Sequence, residues 1–192
     1  MTYELVVIGA SWGGFDALRH LLERVPEEVD LPIAIVQHRG PDSRDGALES
    51  MLQRVVSRTV REASDKDPIE RSHVYLAPPD YHLLVEERGS FALSTEARVQ
   101  YARPSIDVLF ESAADAYGES VIGVILTGAN EDGAAGLRRI ADRGGLAIVQ
   151  DPETAARRAM PDAAIAAASP TVLPLEEIGP FVASRCLAEA RA

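Results

Sequence analysis

The stretch V-V-I-G-A-S-W-G-G, residues 6–14, joins a buried-strand pattern to the start of a helix. β-Branched residues run up to Ile8, small residues and a serine follow, and apolar residues at helical spacing begin at Phe15. A strand that passes through so short a turn into a helix is the building unit of doubly wound α/β sheets. The stretch therefore predicts that fold class and places one serine, Ser11, on its first turn.

The same alternation of strand and helix patterns continues along the chain. Short apolar runs typical of strands buried on both faces lie at residues 5–8, 33–36, 121–126 and 146–149. Apolar residues at helical spacing lie at 15–25, 47–56, 106–116 and 134–143. Three further segments with turn residues between them predict an antiparallel hairpin or meander at one edge of the sheet: 73–77, 82–87 and 90–94. We therefore expect one Rossmann-like, three-layer α/β domain over residues 1–192, with a doubly wound, mostly parallel sheet and helices on both faces.

Composition excludes several classes of partner. The formal net charge is −11, from 19 basic and 30 acidic side chains, so we expect no nucleic-acid binding, which requires clustered Lys and Arg. To bind an acidic protein substrate, a protein of this net charge would need a locally basic surface around its site. The single cysteine, Cys186, allows no intrachain disulfide. Without an 18-residue apolar span or a signal-peptide pattern, we expect a soluble, cytoplasmic protein with no membrane insertion.

Three chemistries use a small-residue turn of the kind that holds Ser11. A dinucleotide-binding loop requires G-x-G-x-x-G and an acidic residue after the second strand, whereas this turn reads G-A-S-W-G-G and the second strand ends in Gln37-His38. A nucleophilic serine fits the match of G-A-S-W-G, residues 9–13, to G-x-S-x-G, in which a tight turn presents the hydroxyl. The third interpretation is that Ser11 is an ordinary helix cap.

A serine nucleophile needs a base and an acid, and one edge of the predicted sheet supplies both types of residue. Sites in open α/β sheets form outside the carboxyl ends of the parallel strands. Ser11 follows the first strand, His38 the second, and T-G-A-N-E-D-G, residues 127–133, a third. That loop offers two carboxylates, Glu131 and Asp132. The sequence therefore predicts a serine-histidine-carboxylate triad, although His38 as a loop residue and Asp132 as a helix cap stay open.

Six motifs, in this order and spacing, carry a resemblance that covers about residues 5–175. They are I-G-A-S-W-G-G (8–14), V-Q-H (36–38), Y-L-A-P-P-D-Y-H (75–82), R-P-S-I-D-V-L-F (103–110), V-I-L-T-G-A-N-E-D-G-A-A-G (124–136) and M-P-D-A-A (160–164). Through them the chain resembles the catalytic domain of the bacterial chemotaxis protein-glutamate methylesterases. The resemblance implies a carboxylic ester hydrolase that releases methanol from glutamate γ-methyl esters on the cytoplasmic helices of chemoreceptors. Many members of that family also deamidate receptor glutamines.

The resemblance also assigns roles to individual residues. By motif position the nucleophile, base and acid fall on Ser11, His38 and Asp132. This assignment favours Asp132 over Glu131 as the acid. The backbone N–H groups of Trp12 and Ala129 would face the oxyanion, and neither a metal nor an organic cofactor is required. The expected partner is the methylated cytoplasmic domain of a chemoreceptor.

The sequence departs from the family pattern beside the nucleophile and beside the base. Trp12 stands where threonine is usual, Arg39 where methionine is usual, and the T-G-M-G-N-D-G loop reads T-G-A-N-E-D-G at residues 127–133. A backbone donor survives the change at Trp12, but a large ring reshapes the pocket. Arg39 is either a substrate contact for acidic helices or a solvated loop charge. Arg103, in the R-P-S motif, is the second candidate for substrate binding.

The first of these motifs begins at residue 8, so no phosphorylated receiver domain of the kind common in the family fits upstream. The chain is then either a stand-alone methylesterase, which we expect, or a fragment of a longer protein. Three alternatives remain. The chain could be a catalytically idle relative that binds a receptor or another partner. It could act on a methylated acceptor outside chemotaxis. It could also be a general hydrolase of small esters, which would hydrolyse soluble and receptor esters at comparable rates.

Overall fold

The computed structural model describes residues 2–40, 46–87 and 89–189. Its strands are β1 Leu5–Ala10, β2 Ile33–Gln37, β3 Thr59–Glu62, β4 His73–Leu76, β5 His82–Glu86, β6 Ser90–Ser94, β7 Val121–Ile125, β8 Leu146–Gln150 and β9 Thr171–Leu173. Its helices are α1 Gly14–Leu22, α2 Ala47–Gln53, α3 Ile106–Tyr117, α4 Ala134–Asp142, α5 Ala159–Ala168 and α6 Leu175–Glu189. In the described ranges, seven strands form a parallel sheet in the order β3-β4-β2-β1-β7-β8-β9. The predicted α/β class is confirmed.

Both faces of this sheet are covered by helices. Successive side chains of a strand point to opposite faces, so a strand that is apolar throughout has apolar side chains to bury on both. On one face Val6 and Ile8 of β1 pack in an apolar cluster with Leu18 of α1 and Ile178 of α6. On the other face Leu5 and Val7 belong to a second cluster, which includes residues of α3, α4 and α5. A strand with apolar residues at every position is therefore fully buried, as the V-V-I run predicted. No helix of the described ranges is long and apolar enough to cross a bilayer.

The predicted hairpin region differs from expectation in its first segment. β4 pairs in parallel with both β2 and β3, inside the large sheet. β5 and β6 form the expected antiparallel hairpin, but as a separate two-stranded sheet that packs against α3. Pro78 and Pro79 lie between β4 and β5. Because proline has no N–H to donate to a ladder, the pair ends β4 and separates it from the hairpin.

The strand order defines the edge at which a site can form. β1 lies between β2 and β7, and the chain moves to one side of β1 first and to the other side when it returns as β7. Gly9 of β1 is in register with Val36 of β2 and with Ile125 of β7, so the carboxyl ends of the three strands are level. Such a switch point is the usual place for a ligand in an open α/β sheet. The loops that carry Ser11, His38 and Asp132 all begin there.

Candidate active site

Ser11 lies in the turn between β1 and α1, and its side chain does not cap that helix. The N-cap position is Gly13, with φ 77° and no side-chain cap hydrogen bond. A Cβ at Gly13 would strain the left-handed backbone and would lie 2.6 Å from the Cβ of Ala156. Glycine therefore allows the tight turn, and the Ser11 hydroxyl points to His38 instead, with Oγ 3.2 Å from Nδ1. The helix-cap interpretation of Ser11 is wrong.

His38 joins the serine to a buried carboxylate. Its Nε2 lies 2.7 Å from Oδ2 of Asp132, while Nδ1 faces Ser11. Because an ionised carboxylate can only accept, Nε2 carries the proton and the lone pair of Nδ1 is directed at the serine hydroxyl. The ring is thus turned the opposite way from that of the chymotrypsin-type triad, where Nδ1 faces the acid. The side chain of Gln37 holds the loop by donating to the carbonyls of Ser11 (2.8 Å) and His38 (3.0 Å).

Asp132 comes shortly before α4 in the chain, but its fully buried side chain lies at the N-terminus of α3. Its Oδ1 accepts hydrogen bonds from the Ser105 hydroxyl (2.8 Å) and the Asp107 N–H (3.0 Å), and its Oδ2 accepts from the Ile106 N–H (2.7 Å). Burial alone would raise the pKa of this carboxyl, but the hydrogen bonds from His38 and from the helix N–H groups lower it below its ordinary value. Asp132 is therefore ionised at neutral pH, as an acceptor for His38 Nε2–H must be.

Asp107 forms the counterpart of this arrangement and was missed in the sequence. Its Oδ1 accepts from the N–H groups of Gly133 (2.9 Å) and Gly136 (2.7 Å), which begin α4. Asp132 thus binds the first N–H groups of α3, the helix that contains Asp107, and Asp107 binds the first N–H groups of α4, the helix that follows Asp132; we call this arrangement the reciprocal cap. The pKa of Asp107 is raised to about 6, mainly by burial. The hydrogen bond from the Gly136 N–H lowers this pKa, and the negative charge of Asp132 raises it further. Its position in the R-P-S-I-D motif was the one available signal.

The pKa of Asp107 predicts a pH dependence of stability. Because the folded-state pKa of about 6 exceeds the ordinary value, the folded protein holds this proton more tightly than the unfolded chain. The resulting stabilisation is complete below about pH 4 and is lost as pH rises through the folded-state pKa. We expect the free energy of unfolding of the wild type, relative to Asp107→Asn, to fall by about 1 kcal/mol between pH 5 and pH 7. Urea denaturation of both proteins at the two pH values measures this difference.

Asp142→Asn is the matched control for that experiment. Asp142 lies on α4, the helix to which the Asp107 side chain binds, but its own side chain is 62% exposed, so its removal changes the net charge without changing a buried carboxyl. An equal pH dependence in the wild type and Asp107→Asn, or an equal effect of the Asp142 variant, would contradict the assignment to Asp107.

The two backbone N–H groups expected at the oxyanion lie in loops that are tied together. The Ser11 N–H donates to the Thr127 carbonyl (2.9 Å), and the Thr127 hydroxyl donates to the Trp12 carbonyl (2.9 Å). The N–H groups of Trp12 and Ala129 have no acceptor among the described residues. Two free N–H groups on adjoining loops beside a serine can stabilise a developing oxyanion. Their role stays a prediction.

A cavity of about 370 Å³ opens beside the base. His38, Arg98, Tyr101, Arg103 and Asn130 line it. His38 also lines a second, more apolar opening of about 520 Å³, together with Phe15, Leu48 and Met51. The histidine therefore borders two spaces large enough for substrate side chains.

The two arginines predicted as substrate contacts lie near this cavity, but their hydrogen bonds go to the protein. Arg39 donates to Glu62 and to the Ala77 carbonyl, both at 2.6 Å. Arg103 donates to Asp80 through Nε (3.1 Å) and Nη2 (2.8 Å), and through Nη1 to two backbone carbonyls of residues 95–96. Both guanidinium groups hold loops around the cavity. Direct substrate binding by either residue stays a prediction.

Comparison with known proteins identifies similar chains. Residues 6–182 match the family described as CheB methylesterase. A Leptospira interrogans protein assigned as a protein-glutamate methylesterase/protein-glutamine glutaminase is 49% identical over 179 residues, which are 93% of this chain and 92% of that protein. A Caulobacter vibrioides protein-glutamate methylesterase/protein-glutamine glutaminase is 41% identical over 95% of this chain and 54% of its own length. The crystal structure of the Thermotoga maritima CheB methylesterase catalytic domain superposes with a TM-score of 0.89, at 32% identity, over 96% of this chain and all of that one.

Proposed function

Because this chain belongs to the CheB methylesterase family, we propose that it hydrolyses glutamate γ-methyl esters on the cytoplasmic helices of chemoreceptors and releases methanol. The observation that carries this proposal is the continuous contact from Ser11 Oγ through the His38 ring to the buried Asp132 carboxylate, at 3.2 and 2.7 Å. The names of the Leptospira and Caulobacter relatives support the same reaction. A protein with this substrate acts in the cytoplasm, and residues 1–192 form one catalytic domain.

The geometry accounts for both halves of the reaction. His38 Nδ1 takes the proton of Ser11 as Oγ attacks the ester carbonyl, while Asp132 stabilises the imidazolium that forms. The tetrahedral oxyanion accepts from the N–H groups of Trp12 and Ala129. His38 then gives its proton to the departing methoxide, and methanol leaves. Water, deprotonated by the same ring, hydrolyses the acyl-enzyme and restores the Ser11 hydroxyl.

Glutamine deamidation uses the same steps, with ammonia as the leaving group instead of methanol. The Leptospira and Caulobacter relatives are named as protein-glutamine glutaminases as well as methylesterases. We therefore include this activity in the proposal.

A catalytically idle relative would result if the large ring of Trp12 blocked the access of substrate to the serine. The Trp12 side chain is 64% exposed, and Ser11 itself is partly exposed, so the ring stands beside the nucleophile and leaves it accessible. Tyr101, at the rim of the cavity next to His38, is 94% exposed. An open site with exposed aromatic side chains at its rim suits a macromolecular substrate better than a small enclosed one.

A comparison of substrates tests the proposal. We expect methanol release from methylated chemoreceptors in membranes to exceed release from soluble glutamate γ-methyl ester by at least about tenfold in kcat/KM, because binding energy from the receptor helix contributes to the transition state. Comparable values for the two substrates would instead support a general hydrolase of small esters. Release from neither, by a folded protein, would contradict the methylesterase assignment.

A further inference from the structure

Arg157 and Trp12 form an exposed pair next to the nucleophile. The guanidinium carbon of Arg157 lies 5.5 Å from the centroid of the Trp12 ring, within the range of a cation–π interaction. Trp12 directly follows Ser11 in the chain, and its ring is largely exposed. Arg157 is exposed as well. A positive charge is therefore held at the surface over the ring of the residue that follows the serine.

The backbone of Arg157 is bound to the loop that carries the expected oxyanion groups. Its N–H donates to the Thr127 hydroxyl (2.8 Å), and its carbonyl accepts from the Gly128 N–H (3.1 Å). Ala156 packs against Gly13 in the turn that follows the nucleophile. These contacts fix the backbone of Arg157 relative to the turn that carries Ser11. Less conformational entropy is therefore lost when the Arg157 side chain binds a ligand.

Arg157 differs from the arginines around it in having no acidic partner. Nearby arginines are paired within the protein: Arg39 with Glu62, Arg98 and Arg103 with Asp80, and Arg158 with Glu153 and Asp162. Among the described residues, no carboxylate pairs with Arg157. Its charge is therefore available to a ligand, on a protein whose net charge is −11.

We propose that Arg157, supported by Trp12, is a specificity-determining residue that binds a carboxylate of the substrate close to the methyl ester. The inference rests on the proposed function and narrows its substrate class to glutamate γ-methyl esters that have acidic neighbours on the same helix. An acidic helix is repelled by a protein of this net charge, and a free guanidinium beside Ser11 offsets that repulsion locally. A planar guanidinium stacked on an indole remains able to bind a carboxylate through its edge.

The single tryptophan of the chain makes binding at this position directly measurable. Trp12 is the only tryptophan, so tryptophan fluorescence, excited selectively over that of the five tyrosines, reports on the site alone. The probes are two synthetic helical peptides that contain one glutamate γ-methyl ester, flanked by glutamates in one peptide and by glutamines in the other. Titration into the Ser11→Ala protein gives both dissociation constants without turnover. We expect the acidic peptide to bind more tightly, and Arg157→Gln to reduce that preference by about two- to fivefold, with a smaller effect at high salt.

Arg158→Gln is the matched control, since Arg158 is the neighbouring exposed arginine but is already paired with Glu153 and Asp162. It should leave the preference unchanged. Equal binding of the two peptides, or an equal loss in the Arg157 and Arg158 variants, would overturn the inference. In the protein with Ser11 intact, Arg157→Gln should raise KM for the acidic peptide and leave kcat unchanged. A preserved binding preference without any methanol release would contradict the proposed function and leave carboxylate recognition supported.

Discussion

Ser11→Ala is expected to lower kcat for methyl-ester hydrolysis by about 10⁴-fold or more, with the fold unchanged. The hydroxyl is the only group of this residue directed at His38, and it makes no hydrogen bond that holds the turn. The backbone of Ser11 donates through its N–H to the Thr127 carbonyl, and its carbonyl accepts from the side chain of Gln37. Neither contact depends on the Ser11 side chain. Residual activity would come from the backbone N–H groups and from binding.

Methanol release, measured with the unfolding midpoint of the same preparation, separates the loss of chemistry from the loss of fold. Ser184→Ala is the control, because Ser184 is exposed on α6 and its hydroxyl donates only to the Phe181 carbonyl. It should keep full activity. Turnover near the wild-type rate in Ser11→Ala would show that another group is the nucleophile.

Asp132→Asn is expected to reduce kcat by about 10⁴-fold and also to destabilise the protein. Both carboxylate oxygens of Asp132 act only as acceptors, and their donors include His38 and the N–H groups of Ile106 and Asp107. An amide replaces one acceptor with a donor, so one side faces N–H groups that it cannot bind. Each buried donor left without an acceptor costs roughly 1–3 kcal/mol. When the amide nitrogen takes the place of Oδ2, it also donates to His38 Nε2, so the ring carries its proton on Nδ1 and cannot accept the proton of Ser11.

The stability loss in this variant has a defined pH dependence. Because the pKa of Asp132 is lowered in the folded state, its stabilisation is present above the ordinary pKa of an aspartate and is lost as pH falls through the lowered value. The unfolding free energies of wild type and Asp132→Asn should therefore differ most at neutral pH and converge in acid. Glu131→Gln is the control, since Glu131 is exposed and was the other acid that the loop offered. A larger loss of activity in the Glu131 variant would reverse the assignment of the acid.

The parts of the fold and site that could be predicted are those fixed by local pattern and by strand direction. The apolar runs at β1, β2, β7 and β8 are buried on both faces, and no other local structure suits them. Once these strands are parallel, their carboxyl ends meet, which brings Ser11, His38 and Asp132 to one edge. The short strands β3 and β9 were missed because each has few buried positions. At the edges of a sheet the apolar signal is weak.

The partners of charged side chains could not be predicted, because they depend on residues far apart in the chain. Arg39, which follows β2, meets Glu62 at the end of β3, with β4 between the two strands, and Arg103 meets Asp80 in the loop after β4. Nothing in the local sequence distinguishes these arginines from Arg157, which has no such partner. A rule that assigns substrate binding to any arginine near a catalytic motif therefore cannot separate an arginine that is paired with an acid of its own protein from one that is not.

The reciprocal cap has a consequence for how this protein can change during evolution. A lineage that gave up hydrolysis could lose Ser11 at little cost, since its hydroxyl supports no part of the fold. It could not discard Asp132 as easily, because the first N–H groups of α3 would lose their buried acceptor, nor Asp107, because the N–H groups of Gly133 and Gly136 at the start of α4 would lose theirs. An aspartate at position 132 in a distant descendant is therefore explained by its structural hydrogen bonds alone. A serine at position 11 is not needed for the fold, so its presence indicates selection for catalysis.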